Sequence, residues 1–203
     1  MPTPPTLILA STSRYRRELL QRLRLPFEVV APGVDETPQP GETPAALAQR
    51  LALEKARAVA GQRPAAVVIG SDQVADLDGE PLGKPGTHER ALQQLRRMSG
   101  RRVVFQTAVA VVREDTGFAR TLLAPVAVTF RALQEAEIEH YLRAEEPYDC
   151  AGSAKSEALG IALLAAIESD DPTALVGLPL IRTCELLRGT GLDPLVGPAG
   201  PAG

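Results

Sequence analysis

The stretch L-I-L-A-S-T-S-R-Y-R-R-E-L-L, residues 7–20, decides how the fold begins. Its first four residues are apolar, which is typical of a buried strand, and the hydroxyl residues that follow can form a turn and cap a helix. The spacing of Leu19, Leu20 and Leu23 then predicts a helix from about Ser13 to Leu23. A strand that leads directly into a helix indicates an α/β fold.

Three arginines crowd the first turn of this helix, at Arg14, Arg16 and Arg17. A helix N-terminus carries partial positive charge, so each arginine there costs about 0.3–1 kcal/mol. Exposure to solvent would explain one such residue. Three of them, directly behind small hydroxyl residues, are more typical of a site that binds an anion such as phosphate.

Lys55 interrupts the apolar face of a second predicted helix, which opens with Thr43 as N-cap and Pro44 in its first turn and ends near Ala60. At about 100° per residue, Lys55 falls near the middle of the apolar arc. Such a lysine either extends its alkyl chain toward solvent or points inward and meets an anion. The sequence leaves both alternatives open.

Polar residues also end an apolar run at Ala65–Ile69, which is followed by G-S-D-Q, residues 70–73. A carboxylate at the carboxyl end of a central strand commonly holds a divalent metal or polarises a water. The alternative is that Asp72 is a turn residue that bonds its own backbone. We favour the first interpretation, because Val74 resumes the strand character directly afterwards.

Two further stretches place a lysine beside small or constrained residues: Y-D-C-A-G-S-A-K-S-E, residues 148–157, and Gly83-Lys84-Pro85. Small residues let a backbone approach a ligand closely, although such loops are common. The sequence contains no GxxxxGK[ST], GxGxxG, HExxH or GxSxG motif, which excludes the P-loop, dinucleotide-binding, zincin and nucleophile-elbow classes. His88 and His140 have no partner at metal spacing and are expected at the surface.

The order of the predicted elements is mixed α/β, with helices and strands interleaved and an antiparallel pair in the middle. A hairpin-like turn is predicted within Asp76–Pro85, and a loop over most of Glu145–Leu159. The other predicted elements are strands at Phe27–Val30, Val103–Val112 and Leu122–Phe130, and helices at Glu89–Met98, at Glu135–Leu142 and near the end of the chain, where the last helix stops close to Gly189.

The composition is that of an ordinary globular protein and disfavours nucleic-acid and membrane partners. The 203 residues are 44% hydrophobic, 23% charged and 3% aromatic, with a net charge of -3. A protein with few aromatic residues and an excess of acidic residues is unsuited to binding nucleic acid. No apolar run approaches the ~18 residues of a membrane span, and the N-terminus M-P-T-P-P-T does not resemble a secretory signal. Cys150 and Cys184 could meet in space, but we favour two free thiols in a reducing cytoplasm.

Together these stretches resemble the Maf family of nucleoside triphosphate pyrophosphatases. The similarity runs from Leu7 to about Leu187 and rests on S-T-S-R-Y-R-R-E-L-L, V-D-E-T, L-A-L-E-K-A, G-S-D-Q-V, L-G-K-P, A-G-S-A-K-S-E-A-L-G and L-V-G-L-P-L. It implies an α/β fold like that of Maf and ITPase-like proteins: a mixed sheet with helices on both sides, and two lobes around a central cleft. Residues 1–195 would form this single catalytic domain, commonly as a homodimer, and the Gly/Pro/Ala tail, residues 196–203, is expected to be disordered.

The resemblance also implies an activity and a role for individual residues. Members of the family cleave a nucleotide between its α- and β-phosphates with Mg²⁺ or Mn²⁺. By correspondence of the motifs, Asp72 would be the catalytic carboxylate, either as general base or as the metal-linked group that activates water, and Glu36 of V-D-E-T would assist the metal site. The residues that would hold the phosphates are Ser11, Arg16, Arg17, Lys55 and Lys84.

Three specificity positions, Tyr15, Gln73 and Glu157, resemble the branch of the family that hydrolyses 7-methyl-GTP. N7-methylation makes guanine cationic, so the base stacks well on an electron-rich ring such as Tyr15. A carboxylate such as Glu157 can accept from the guanine N1–H and N2–H₂ groups. That branch usually has Pro in place of Arg14 and an aromatic residue in place of Ala154. It also usually has Trp in place of Tyr15, and because tyrosine is a weaker stacking surface than tryptophan, we expect softer selectivity for the methylated base.

Two other functions remain open from the sequence. One is a pyrophosphatase for dTTP, UTP or other modified nucleotides, and the other is a nucleotide-binding regulator of cell division without important catalysis. Asp72 disfavours the regulator, because a carboxylate beside a triphosphate repels the ligand unless a metal intervenes. We therefore expect a cytoplasmic enzyme whose partners are a nucleoside triphosphate and a divalent metal ion, with no nucleic acid and no membrane.

Overall fold

The computed structural model describes residues 5–196, and in that range it has one seven-stranded mixed sheet and five α-helices. The strands are β1 (Leu7–Ala10), β2 (Phe27–Val30), β3 (Val67–Leu77), β4 (Glu80–Leu82), β5 (Arg102–Arg113), β6 (Phe118–Phe130) and β7 (Leu164–Glu168). The helices are α1 (Arg14–Gln21), α2 (Pro44–Ala60), α3 (His88–Met98), α4 (Glu135–Glu145) and α5 (Leu180–Arg188).

The sheet joins a parallel half to an antiparallel half, in the order β2-β1-β3-β5-β6-β7. β1 pairs in parallel with β2 and β3, whereas β3, β5, β6 and β7 pair antiparallel in succession. β4 forms a hairpin with the end of β3, and the turn contains Asp78 and Gly79, both at positive φ. The predicted mixed sheet with an antiparallel pair in the middle is confirmed.

Helices cover both faces of the sheet, as expected. The alanines of α2 share one buried cluster with Ile8 and Val68. α1 and α5 contribute to a second cluster, which contains Leu9 and Ile69, and α3 and α4 contribute to a third cluster around Phe105. Because successive residues of a strand point to opposite faces of the sheet, the neighbours Ile8 and Leu9 belong to different clusters.

Three elements differ from the sequence-based expectation. β3 has 11 residues and continues to Leu77, because β5 pairs with it through Asp72 and beyond. G-S-D-Q therefore lies in the middle of a strand and not after its end, so Asp72 is not a turn residue. α4 continues to Glu145. β7 is an additional edge strand. Most of its side chains are exposed, so its sequence has no strong alternation of apolar and polar residues that would predict a strand.

Some expectations concern features outside the sheet. Cys150 and Cys184 are free thiols, as expected. None of the helices within residues 5–196 is long and apolar enough to cross a membrane. The predicted tail lies outside the described residues from position 197 onward, and the division into two lobes stays a prediction.

Gly70 is the point of closest approach between β3 and α2. A Cβ atom at this position would overlap the carbonyl oxygen of Ala52 and lie 2.6 Å from the backbone nitrogen of Ala56. Both obstacles belong to the backbone of a regular helix, which cannot move aside locally. Only glycine therefore lets α2 lie this close to the strand that carries Asp72.

We expect Gly70→Ala to reduce the free energy of unfolding by about 3 kcal/mol, because the added methyl must push the helix from the sheet. Urea denaturation followed by circular dichroism measures the change. Gly83→Ala is the matched control, since a Cβ there would meet no atom within 4 Å. Equal stability of the two variants would contradict the close packing.

Candidate active site

A cleft of about 580 Å³ opens beside the middle of β3. Its walls come from the N-terminal turn of α1, the loop after β2, α2, the loop after β4, and two later segments at residues 149–157 and 175–177. The predicted site residues that line it are Ser11, Tyr15, Arg16, Glu36, Lys55, Asp72, Gln73, Lys84 and Glu157. Residues far apart in the sequence thus meet in one place.

Arg17 is the exception among the predicted site residues. Its side chain is exposed and borders a separate depression together with Gln21, Phe27 and Val29. Successive residues of a helix turn by about 100°, so Arg17 points away from the direction taken by Arg16. The structure therefore corrects the expectation for Arg17, which does not lie where a phosphate in the cleft could contact it.

Lys55 points inward and bridges two carboxylates. Its ammonium nitrogen lies 2.6 Å from Asp72 Oδ1 and 2.6 Å from Glu36 Oε1. Lys55 and Asp72 are only 5% and 7% exposed, so neither charge is solvated as it would be at the surface. Since an unpaired buried charge is costly, the three groups stabilise one another. Of the two alternatives for Lys55, the geometry supports the inward one.

Glu36 approaches this pair from the loop after β2. Burial by itself would raise the pKa of its carboxyl, but the hydrogen bond from Lys55 and the charges of Lys55, Lys84 and Arg16 outweigh burial and lower that pKa. A carboxyl with a lowered pKa stabilises the fold above its ordinary pKa, and this contribution is lost as the pH falls through the lowered value. Glu36 is thus ionised at neutral pH.

Arg50, which the sequence analysis did not single out, fixes the loop that carries Glu36. Its Nε and Nη2 donate to the carboxylate of Glu42 at 2.6 and 2.8 Å, and Nη2 also donates to the carbonyl oxygen of Thr37 at 3.1 Å. The hydrogen bond from Arg50 lowers the pKa of Glu42 to about 2. The loop is therefore tied to α2 on either side of its turn, directly next to Glu36.

Glu36 and Asp72 are the residues suited to hold a divalent metal. Among the residues described, no group of three or more His, Cys, Asp or Glu side chains could bind a metal ion by itself. Mg²⁺ in nucleotide enzymes, however, usually takes one or two carboxylates and completes its shell with water and substrate phosphates. The donor set thus fits a metal that binds together with a nucleotide.

Arg16 and Ser11, at the beginning of α1 and just before it, also line the cleft. Arg16 Nε donates to the carbonyl oxygen of Gly177 at 2.8 Å, and within residues 5–196 its two terminal nitrogens make no hydrogen bond. Burial lowers the pKa of the Arg16 guanidinium, although the charges of Asp72 and Glu36 partly oppose this. The anchored Nε leaves the terminal nitrogens available for an anion.

A segment that precedes α5 closes the cleft from the other face of β3. Ser71 Oγ donates to Gly177 O at 2.9 Å, and Gln73 Nε2 donates to Ala174 O and Leu175 O, both at 3.0 Å. The acceptors in this segment are backbone carbonyls, which every residue has, so no side-chain pattern in the sequence identifies the segment. Only the glycine of L-V-G-L-P-L indicates it. Gly177 has a φ of 117°, which favours glycine.

The contacts of Gln73 limit its role in specificity. Its amide nitrogen donates to the segment before α5 and also to Thr107 Oγ1 at 2.9 Å. Within the described part of the chain, the amide oxygen makes no hydrogen bond. The oxygen, an acceptor, is therefore the atom that Gln73 can offer to a ligand.

Tyr15 and Glu157 also line the cleft. Burial raises the pKa of Tyr15 to about 12, so the phenol is neutral at physiological pH. The thiol of Cys150, whose pKa burial also raises to about 12, lies 3.9 Å from the Tyr15 hydroxyl. Glu157 is exposed and lines the same wall as Asp149. Cys150 and Asp149 were not predicted as site residues.

The chain is similar to known proteins over most of its length. The family model described as "Maf-like protein" matches residues 6–190. The chain is 72% identical to a "7-methyl-GTP pyrophosphatase" from Polaromonas sp. JS666, over 94% of this chain and 87% of that protein. It is 62% identical to a protein of the same name from Bordetella pertussis Tohama I, over 96% of each. The chain belongs to the Maf family.

A solved structure of the Staphylococcus aureus Ham1 protein is also similar, at 18% identity and a TM-score of 0.44, over 63% of this chain and 72% of that one. A similarity at this level supports no conclusion about function.

We expect Arg50→Gln to loosen the loop that carries Glu36, because the charged hydrogen bonds to Glu42 are lost. Amide hydrogen exchange over residues 35–42, measured by mass spectrometry, should become roughly fivefold faster, which corresponds to about 1 kcal/mol. Arg63→Gln is the matched control, since Arg63 pairs with Glu28 at the surface. Unchanged exchange in Arg50→Gln would show that other contacts hold the loop.

Proposed function

We propose that this protein is a nucleoside triphosphate pyrophosphatase that hydrolyses 7-methyl-GTP to 7-methyl-GMP and pyrophosphate. The observation that carries the proposal is a single cleft that is lined by the Glu36–Lys55–Asp72 group, by Arg16 and by the specificity positions Tyr15 and Glu157. The high identity to relatives named 7-methyl-GTP pyrophosphatase supports the same activity.

In this mechanism Asp72 prepares the attacking water. The triphosphate attracts the ammonium of Lys55, which turns from the carboxylates toward the phosphate oxygens and frees Asp72 to accept a proton. The water oxygen forms a bond to the α-phosphorus, and the bond between that phosphorus and the bridging oxygen of the β-phosphate breaks. The water proton passes to Asp72, and pyrophosphate leaves.

The cations of the cleft stabilise the charge that develops on the leaving pyrophosphate. The terminal nitrogens of Arg16 and the ammonium groups of Lys55 and Lys84 can donate to the phosphate oxygens, and Ser11 offers a hydroxyl at the same end. Mg²⁺ or Mn²⁺, which Glu36 and Asp72 would hold, supplies further charge neutralisation on the phosphates. These cations also explain how several carboxylates and a triphosphate can share one site.

Base selection would occur at Tyr15 and Glu157, which line the same cleft. The neutral ring of Tyr15 offers a stacking surface for the cationic 7-methylguanine. Glu157 can accept from N1–H and N2–H₂ of guanine, whereas uracil and thymine have no equivalent pair of donors. A cytoplasmic location and a homodimer also belong to this proposal, on the basis of family membership alone.

The activity is tested by incubating the purified protein with Mg²⁺ or Mn²⁺ and, separately, 7-methyl-GTP, GTP, dTTP or UTP, with monophosphate and pyrophosphate measured by chromatography. We expect 7-methyl-GTP to have the highest kcat/KM. Preference for dTTP or UTP would refute the assignment of Tyr15, Gln73 and Glu157 to base selection. No turnover of any nucleotide would refute the enzyme and favour the nucleotide-binding regulator.

Asp72→Asn should still bind nucleotide but lower kcat by about 10²- to 10⁴-fold, because the water loses its general base. Asp76→Asn is the matched control: it makes the same chemical change on the same strand, outside the cleft lining. Hydrolysis by Asp72→Asn at the wild-type rate would show that the mechanism is wrong.

The metal is tested by titration calorimetry with Mn²⁺, which needs no turnover. Because Lys55 occupies both carboxylates in the free protein, we expect Mn²⁺ to bind at least about tenfold more tightly when a non-hydrolysable 7-methyl-GTP analogue supplies the remaining oxygen ligands. Equally tight binding with and without the analogue would contradict a metal that enters with the nucleotide.

A further inference from the structure

Arg14 lines the cleft beside the proposed base-binding end but has no role in the mechanism above. The Cζ atom of its guanidinium lies over the ring of Tyr15, 4.8 Å from the ring centroid. Its Nη2 also donates to the Tyr15 hydroxyl oxygen at 2.8 Å. One face of the aromatic platform is therefore already occupied by a cation.

This cation competes with a cationic base for the same ring. A guanidinium over an aromatic face is attracted by the ring electrons that would also attract 7-methylguanine. If the base stacks on the covered face, Arg14 must leave. If the base stacks on the opposite face, one positive charge lies on each side of the Tyr15 ring. Neutral guanine meets neither penalty and can stack on a guanidinium plane.

Two carboxylates of the cleft act in the opposite direction. Asp149 and Glu157 both line it, and both are exposed. Two carboxylates favour a cationic base over a neutral one, and the positive charge of Arg14 offsets one of them. The balance between methylated and unmethylated guanine thus depends on whether Arg14 is present.

We propose that Arg14 is a specificity-determining residue that lowers the preference for 7-methyl-GTP and extends the substrate range to GTP. The proposal rests on the proposed pyrophosphatase function, and it goes beyond it by assigning a substrate-range role to a residue that the mechanism above does not use.

The test measures the ratio of kcat/KM for 7-methyl-GTP to kcat/KM for GTP. In Arg14→Gln, which removes the charge, this ratio should rise by about threefold or more. Arg14→Lys keeps the charge and should stay near the wild-type ratio. Arg22→Gln is the matched control, because Arg22 is an exposed arginine that follows α1 outside the cleft lining, and its ratio should not change.

A second measurement separates this proposal from the proposed function. The dissociation constants of 7-methyl-GMP and GMP, measured by calorimetry for the wild type and Arg14→Gln, should show the same shift toward the methylated base without any turnover. An unchanged ratio in both measurements overturns the role of Arg14, whether or not the enzyme is active. Absence of turnover with a shifted binding ratio would refute the pyrophosphatase and leave the role of Arg14 in base selection intact.

Discussion

The contact on which the rest of the site depends is the one between the Lys55 ammonium and the carboxylates of Asp72 and Glu36, both at 2.6 Å. Lys55 and Asp72 are buried, so the charge of each would be costly without a partner. Together the three groups compensate one another's charges in the free protein.

This contact is possible because the backbone of α2 lies unusually close to β3. The absence of a side chain at Gly70 lets Ala52 and Ala56 approach the strand, and the same close packing brings Lys55 to Asp72 two residues further along. Glu36 lies on the loop after β2, and Arg50 of α2 holds this loop through hydrogen bonds to Glu42 and Thr37. Helix packing and loop anchoring therefore fix the geometry of the charged group.

The three arginines in the first turn of α1 are close in the sequence but have different surroundings in the structure. Arg16 enters the cleft and bonds Gly177, Arg14 lies over the ring of Tyr15, and Arg17 borders a different depression. Each helix position is rotated by about 100° from the last, so Arg16 and Arg17 point in different directions. Of the two arginines that line the cleft, Arg16 is the one whose terminal nitrogens make no hydrogen bond within residues 5–196.

The sequence by itself determined the order and type of most elements, because apolar periodicity, caps such as Thr43 and turn glycines are local signals. It also singled out Lys55 and Asp72, because they interrupt apolar patterns, whereas Glu36 and Tyr15 were indicated only by the resemblance to a known family. Only the tertiary structure decided that Asp72 lies within a strand, that Gln73 bonds the segment before α5, and that Arg17 faces away. These depend on strand pairing, on backbone carbonyls and on helix rotation, which are set by contacts between residues distant in the sequence.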